Sequence, residues 1–131
     1  GRDHEALEQI LRTQAIDFVQ FTYNIEDLAV EDRLLPLAAD RGIATLINRP
    51  FQRGDLFHKV RGTALPDWSD EIDSRSWGQY FLKFTLGHPA VTCVIPATSK
   101  VHHMEDNMEA GFGRLPDTAM RKRMITHYES L

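Results

Sequence analysis

Thr98, Ser99 and Lys100 put two hydroxyls and a cation into one short turn, and His102, His103, Asp106 and Asn107 follow closely behind. An apolar run (Val91, Cys93, Val94, Ile95) leads into that turn and stops at Pro96. A buried strand that feeds a polar turn and then a helix N-terminus makes an anion site. Free backbone N–H groups and the helix dipole both point at the turn. Hydroxyls, N–H donors and a lysine suit an anion. A metal is the competing chemistry, since His102 and Asp106 are four residues apart and share a helix face. Adjacent histidines, however, point about 100° apart on a helix, and no second spaced histidine or cysteine pair supports them, so no metal is expected. Cys93 lies inside the apolar run and is expected to be a buried strand residue rather than a nucleophile.

The elements that must position this turn read as alternating helices and strands. Asp3–Thr13 predicts a helix with Leu7, Ile10 and Leu11 on one stripe. Asp17–Tyr23 is rich in β-branched and aromatic residues and predicts a strand. Glu31–Arg41 predicts a second helix, with Leu34, Leu35, Leu37 and Ala38 inward and Gly42 just past its end. Ile43–Ile47 is a continuous apolar run, as a strand covered on both faces requires. Arg49–Asp73 reads as a long loop, and loops of that length are usually functional or mobile. Asp73 or Ser74 is placed to cap a third helix running to about Leu86, with Trp77, Tyr80, Phe81 and Phe84 as its heavy face. The acidic run Asp67, Asp70, Glu71, Asp73 reads as its solvated approach. Pro116 suits the first position of a last helix that shows Met120, Met124 and Tyr128 at i, i+4, i+8.

Strands alternating with helices imply parallel crossovers, and so an α/β fold. The 131 residues suffice for one modest domain, 1–131. A formal net charge of −4 argues against a nucleic-acid module, which is usually basic. No run approaches a membrane helix, no charged leader precedes an apolar stretch, and the single cysteine forbids an internal disulfide. The expectation is a cytoplasmic protein with no membrane partner. Gly1 in place of methionine points to a start that was removed or replaced.

Four segments together resemble the C-terminal half of the aldo/keto reductases, a family of (β/α)8 barrels that use NADP(H). DFVQFTYN resembles the sixth strand, and RGIATLINRPFQRGDL the seventh strand with its loop. FLKFTLGHPAVTCVIPATSKVHHMEDN resembles the eighth-helix signature, and AGFGRLPDTAMRKRM the closing helix region. The resemblance runs from about Asp3 to the C-terminus.

The resemblance implies a partial (β/α)8 barrel of three parallel strands with flanking helices. The family's catalytic Asp, Tyr, Lys and His lie upstream of these segments, so no catalytic residue is carried over. Tyr23, Tyr80, Lys83 and His88 have the right chemistry in the wrong segments, and Tyr80 and Lys83 are expected as packing and solvated surface. For the cofactor, Gln20 matches the glutamine that bonds the nicotinamide carboxamide, and Asn48 stands where many members stack an aromatic. Arg49, Phe51, Arg53 and Gly54 align with the loop over the pyrophosphate. Thr98, Ser99 and Lys100 match the turn on the 2′-phosphate, and His103 falls where an arginine is frequent. Asp106 and Asn107 match the adenine-binding pair.

A complete barrel of this kind takes roughly 250 residues. The faces expected to fill its interior are those of Phe18, Gln20, Thr45, Thr92 and Val94. Three parallel strands alone leave two edges open. The expected partner is therefore a complementing half barrel or a second copy of the chain. Two functions follow: a fragment of a barrel oxidoreductase that keeps the cofactor contacts, or a non-catalytic, self-associating nucleotide-binding module.

Overall fold

In the computed structural model, which describes residues 3–131, helices and strands alternate along the chain. The order is α1 (His4–Thr13), β1 (Phe18–Thr22), α2 (Leu34–Asp40), β2 (Ala44–Asn48), α3 (Asp55–Lys59), α4 (Trp77–Leu86), β3 (Cys93–Val94), α5 (Val101–Glu109) and α6 (Thr118–Glu129). The three strands form one parallel sheet in the order β1-β2-β3.

Register decides which residues face what. Val19 pairs with Thr45, Phe21 with Ile47, and Ile47 with Val94, so these residues share the face that the helices cover. Val19, Phe21, Thr45 and Ile47 are buried there. The other face carries Phe18, Gln20 and Leu46, with Cys93 opposite Leu46. Phe18 is 64% exposed on it. The expected inward set is therefore corrected: Thr45 and Val94 belong to the helix side, and Cys93 is half-buried on the open side. A strand alternates with period two, so one misjudged position moves every residue across the sheet.

β3 is only two residues long, and side chains extend its pairing. The Thr45 N–H donates to Thr92 Oγ1 at 2.9 Å, and the Thr92 N–H donates to Thr45 Oγ1 at 3.0 Å. The Thr45 hydroxyl donates to the Ala90 carbonyl at 2.7 Å. Thr45 thus stays buried with both of its polar functions satisfied.

The helices depart from expectation at their ends. α2 starts at Leu34, later than Glu31, because a separate 3₁₀ turn occupies Ala29–Glu31. Pro36 then falls in the first turn of α2, where no intrahelical N–H is required. The Arg49–Asp73 segment is not plain loop; it holds α3 and a 3₁₀ helix at Asp67–Ile72. Ser76 caps α4, its hydroxyl accepting the Gln79 N–H at 3.1 Å. Asp73 instead pairs with Arg114 at 2.9 Å. Asp117 caps α6 at the Met120 N–H, which puts Pro116 outside the helix. In α1, Ile10 is 45% exposed, because α1 packs mainly on α2 and nothing described covers its other flank.

α4 is the central helix. Gly78 to Thr85 are all buried, Lys83 among them. Lys83 is thus not surface: its ammonium donates to the carbonyls of Phe112 and Arg114 at 2.6 and 2.9 Å, tying the segment after α5 to α4. Burial holds the Lys83 pKa below its usual value. The Tyr80 hydroxyl donates to the Met124 carbonyl at 2.8 Å. Gly87 ends the helix under Pro116. A Cβ there would stand 2.6 Å from the Pro116 carbonyl oxygen and 2.8 Å from its Cγ. Backbone cannot yield as a flexible side chain does, so Gly87→Ala is expected to cost about 2 kcal/mol, read as a lower urea midpoint.

A buried polar network clamps α6 to the rest. The Tyr23 hydroxyl donates to Glu31 and accepts from Arg121. Arg121 Nη2 also donates to Glu31 Oε1 at 2.5 Å, and Nε donates to the Phe84 carbonyl at 3.2 Å. Burial first, and the Glu31 hydrogen bond second, push the Tyr23 phenol well above its ordinary range. His88 sets its ring edge-on to Tyr23, and its Nδ1 accepts the Ala90 N–H at 3.1 Å.

Burial first, and the charge on Arg121 second, hold the His88 imidazole below its ordinary 6.5. The unfolded chain takes up a proton near 6.5 that the folded chain resists. The His88 contribution is therefore complete above that pH and is lost as pH falls through the folded value. His88→Gln is expected to lose less stability than wild type between pH 7.5 and pH 5.5, as compared by urea midpoints. Equal losses in both proteins would discount His88 as the source.

Candidate functional site

Beyond the C-terminal ends of β2 and β3 lies a cavity of about 830 Å³. Three stretches of chain and one helix end build it. The Arg49–Phe57 segment gives Arg49, Pro50, Phe51, Arg53, Gly54 and Phe57. The β3–α5 turn gives Ile95, Ala97 and Thr98. The inner side of α5 gives His103, Asp106 and Asn107, and the start of α4 gives Ser76, Trp77 and Gly78.

The first segment is held in an unusual backbone. Arg49, Gln52 and Arg53 have φ of 50°, 48° and 59°, and Gly54 has 98°. Non-glycine residues in the left-handed region are strained, and surrounding contacts must hold them. Asn24 supplies that hold. It is fully buried, and its Nδ2 donates to the Arg49 carbonyl at 2.9 Å and to Gln52 Oε1 at 3.1 Å. Its Oδ1 accepts the N–H groups of Glu26 and Asp27. The turn after β1 thereby sets the loop that displays Arg49 and Arg53.

The second and third walls meet at the start of α5. Among the described residues, no side chain caps this helix, so its first N–H groups stay open to a ligand. Thr98 Oγ1 accepts the Lys100 N–H at 3.1 Å, which fixes the turn. On α5, Asp106 Oδ2 accepts the Ser76 hydroxyl at 2.6 Å, and Oδ1 accepts Gln79 Nε2 at 2.9 Å. The first and fourth walls carry aromatic rings. Phe51 and Phe57 lie 4.9 Å apart, and Trp77 stacks on Phe81 while its Nε1 donates to the Thr63 carbonyl at 2.8 Å.

The structure brings eight of the expected site residues to one cavity: Arg49, Phe51, Arg53, Gly54, Thr98, His103, Asp106 and Asn107. Gln20, Asn48, Ser99 and Lys100 are not in its lining. Gln20 and Asn48 lie on the open face of the sheet, where the Thr22 hydroxyl donates to Asn48 Oδ1 at 2.7 Å. Ser99 and Lys100 are exposed just before α5. Phe57, Trp77 and Asn24 went unrecognised in the sequence. Trp77 reads there as a core residue of an amphipathic helix, and nothing local marks Asn24 as the brace of a loop 25 residues away. Among the described residues, no three His, Cys, Asp or Glu side chains converge as a metal site would require.

No protein-family model matches the sequence, and no curated protein matches it. Solved structures do. An aldo-keto reductase from Bacillus halodurans in its holo form superposes with a TM-score of 0.72 at 18% identity, over 94% of this chain and 46% of that one. The fold is that of part of an aldo-keto reductase. A thermostable aldo-keto reductase in complex with the inhibitor epalrestat gives a TM-score of 0.70 at 21% identity, over 95% of this chain and 45% of that one. An aldo/keto reductase from Klebsiella pneumoniae, solved in complex with NADP and acetate, gives 0.67 at 17% identity, over 92% and 44%. The chain spans about half the length of each. Three parallel strands with flanking helices thus match part of the aldo-keto reductase barrel fold, as the sequence segments implied. Among the described residues, no helix is long and apolar enough to cross a membrane.

Proposed function

We propose that this chain is the nicotinamide-nucleotide-binding half of an aldo-keto-reductase-like oxidoreductase, that it binds NADP(H), and that it catalyses nothing alone. The observation that carries this is the cavity of about 830 Å³ rimmed by Arg49, Arg53 and His103 at an uncapped helix start. Its size falls within the roughly 300–1,000 Å³ of cofactor sites. Its donors are cations and N–H groups, the set that phosphate requires.

In this reading Arg49 and Arg53 take the pyrophosphate, with Phe51 and Gly54 completing that loop. Thr98, Ser99, Lys100 and His103 take the 2′-phosphate. Asn107 reads the adenine. Gln20 and Asn48 border the nicotinamide on the open face. The dinucleotide supplies a hydride for carbonyl reduction when bound. The proton donor and its companions belong to the other half of the barrel. That half, covering Phe18, Gln20 and Leu46, is the partner, and the cytoplasm is the proposed setting.

Thermal shift is the test. A ligand that binds only the folded state raises the melting temperature with its concentration, and NADPH is expected to do so. No shift at millimolar NADPH removes the cofactor from the account. Turnover of a generic aldehyde by the pure chain, lost in Tyr23→Phe or Tyr80→Phe, overturns its inactivity.

A second reading, a self-associating nucleotide-binding module, is favoured by the exposure of Phe18 on an unpaired sheet face. Sedimentation separates the two. A clean monomer with a cooperative melt removes self-association.

A further inference from the structure

We infer that Asp106 is a positioning residue rather than a ligand of the nucleotide base: its carboxylate locks α5 onto the start of α4 and thereby sets where His103 and Asn107 stand. This rests on the nucleotide reading of the cavity. It reverses the role that the sequence resemblance implies for Asp106.

Both carboxylate oxygens are already engaged. Oδ2 accepts the Ser76 hydroxyl at 2.6 Å, and Oδ1 accepts Gln79 Nε2 at 2.9 Å. Gln79 Nε2 also lies 3.3 Å from the Asp106 carbonyl. These partners are themselves fixed. The Ser76 hydroxyl oxygen accepts the Gln79 N–H, and Gln79 Oε1 accepts the Arg75 N–H at 2.9 Å. That last bond orients the buried Gln79 amide, leaving its NH₂ to face Asp106. A negative group at the start of α4 also meets the positive end of that helix dipole.

The two helices approach closely because Gly78 has no side chain. A Cβ there would lie 3.2 Å from Asp106 Oδ2 and 3.6 Å from Asn107 Oδ1. An amino group from a purine would be a further donor on a carboxylate whose oxygens already serve α4. His103 and Asn107, four residues apart on α5, both line the cavity on either side of this lock.

Paired probes that differ only at the base amino group test the assignment: adenosine 2′,5′-bisphosphate and purine riboside 2′,5′-bisphosphate, titrated by calorimetry. A positioning role predicts that Asp106→Ala weakens both by a common factor, on the order of ten-fold, leaving their ratio as in wild type. Asp106→Asn keeps an acceptor oxygen and is expected to recover part of the loss for both. Gly78→Ala keeps the carboxylate but crowds it out of its position, and is expected to weaken both probes too; it serves where Asp106→Ala does not fold.

A loss confined to the adenosine probe overturns the inference and leaves the nucleotide site standing. Unchanged affinity for both probes in folded Asp106→Ala also overturns it. Failure of both probes to bind wild type at millimolar concentration overturns the nucleotide reading and this inference together.

Discussion

Arg121→Leu is expected to lower the unfolding free energy by about 3 kcal/mol, as breaking a buried ion pair from one side does. Arg121 is 8% exposed and donates to three groups on distant parts of the chain: Tyr23, Glu31 and the Phe84 carbonyl. Leucine fills much of the volume and satisfies none of these acceptors. The Glu31 side chain keeps 30% of its surface in water, which softens the loss and holds the figure at the low end of the range. The guanidinium also lies 4.7 Å from the Phe84 ring centre, a contact that leucine replaces only as apolar packing. Urea unfolding of wild type and variant at pH 7.5 measures the difference. Adding Tyr23→Phe to Arg121→Leu is expected to cost less than the two single changes summed, because they share one network. Strict additivity would show that the network does not act as a unit.

Replacing Arg49 and Arg53 together with glutamine is expected to weaken NADPH binding by about 100-fold, since a charge-assisted hydrogen bond is worth roughly 1.5–3 kcal/mol. Both positions hold a left-handed backbone. Glutamine, like arginine, is unbranched at Cβ, so the exchange removes charge without adding strain. The double variant should therefore melt close to wild type while losing ligand. Binding by wild type is also expected to weaken with added salt, and binding by the variant to depend on salt less. Equal affinity in both proteins would mean that the arginines point at solvent, not at phosphate.

Much of the scaffold is legible because its signals are local. The apolar run Ile43–Ile47 marks a strand covered by helices, and Met120, Met124 and Tyr128 mark the inward side of the last helix. Met124 and Tyr128 are buried as that spacing requires. The turn from Thr98 to Lys100 is legible as a strand-to-helix junction for the same reason, and Thr98, His103 and Asn107 line the cavity beside it. Errors arise where a tertiary partner outvotes the local signal. Asp73 has the chemistry of a helix cap, but Arg114 claims its carboxylate, holds its pKa below the usual range, and leaves the cap to Ser76. Lys83 has the chemistry of a surface residue, but two carbonyls after α5 draw it inside. Thr45 and Val94 cannot be assigned a side until register is known, because each lies in a run without clear alternation. Asn24 and Trp77 escape because their roles depend on segments 25 and 14 residues away.

The proposed site draws on the same two kinds of information. Residues contiguous in sequence (Arg49 to Gly54, Thr98 to Asn107) are found together by motif. The wall that α4 contributes is found only once the helices are packed.

The most direct measurement is a calorimetric titration of the pure, folded chain with NADPH, run beside the Arg49→Gln, Arg53→Gln double variant. One saturable site per chain, weakened about 100-fold in the variant, is the result that the cavity chemistry predicts. Absence of heat at millimolar NADPH, with a cooperative melt proving the chain folded, would contradict a nucleotide-binding half barrel.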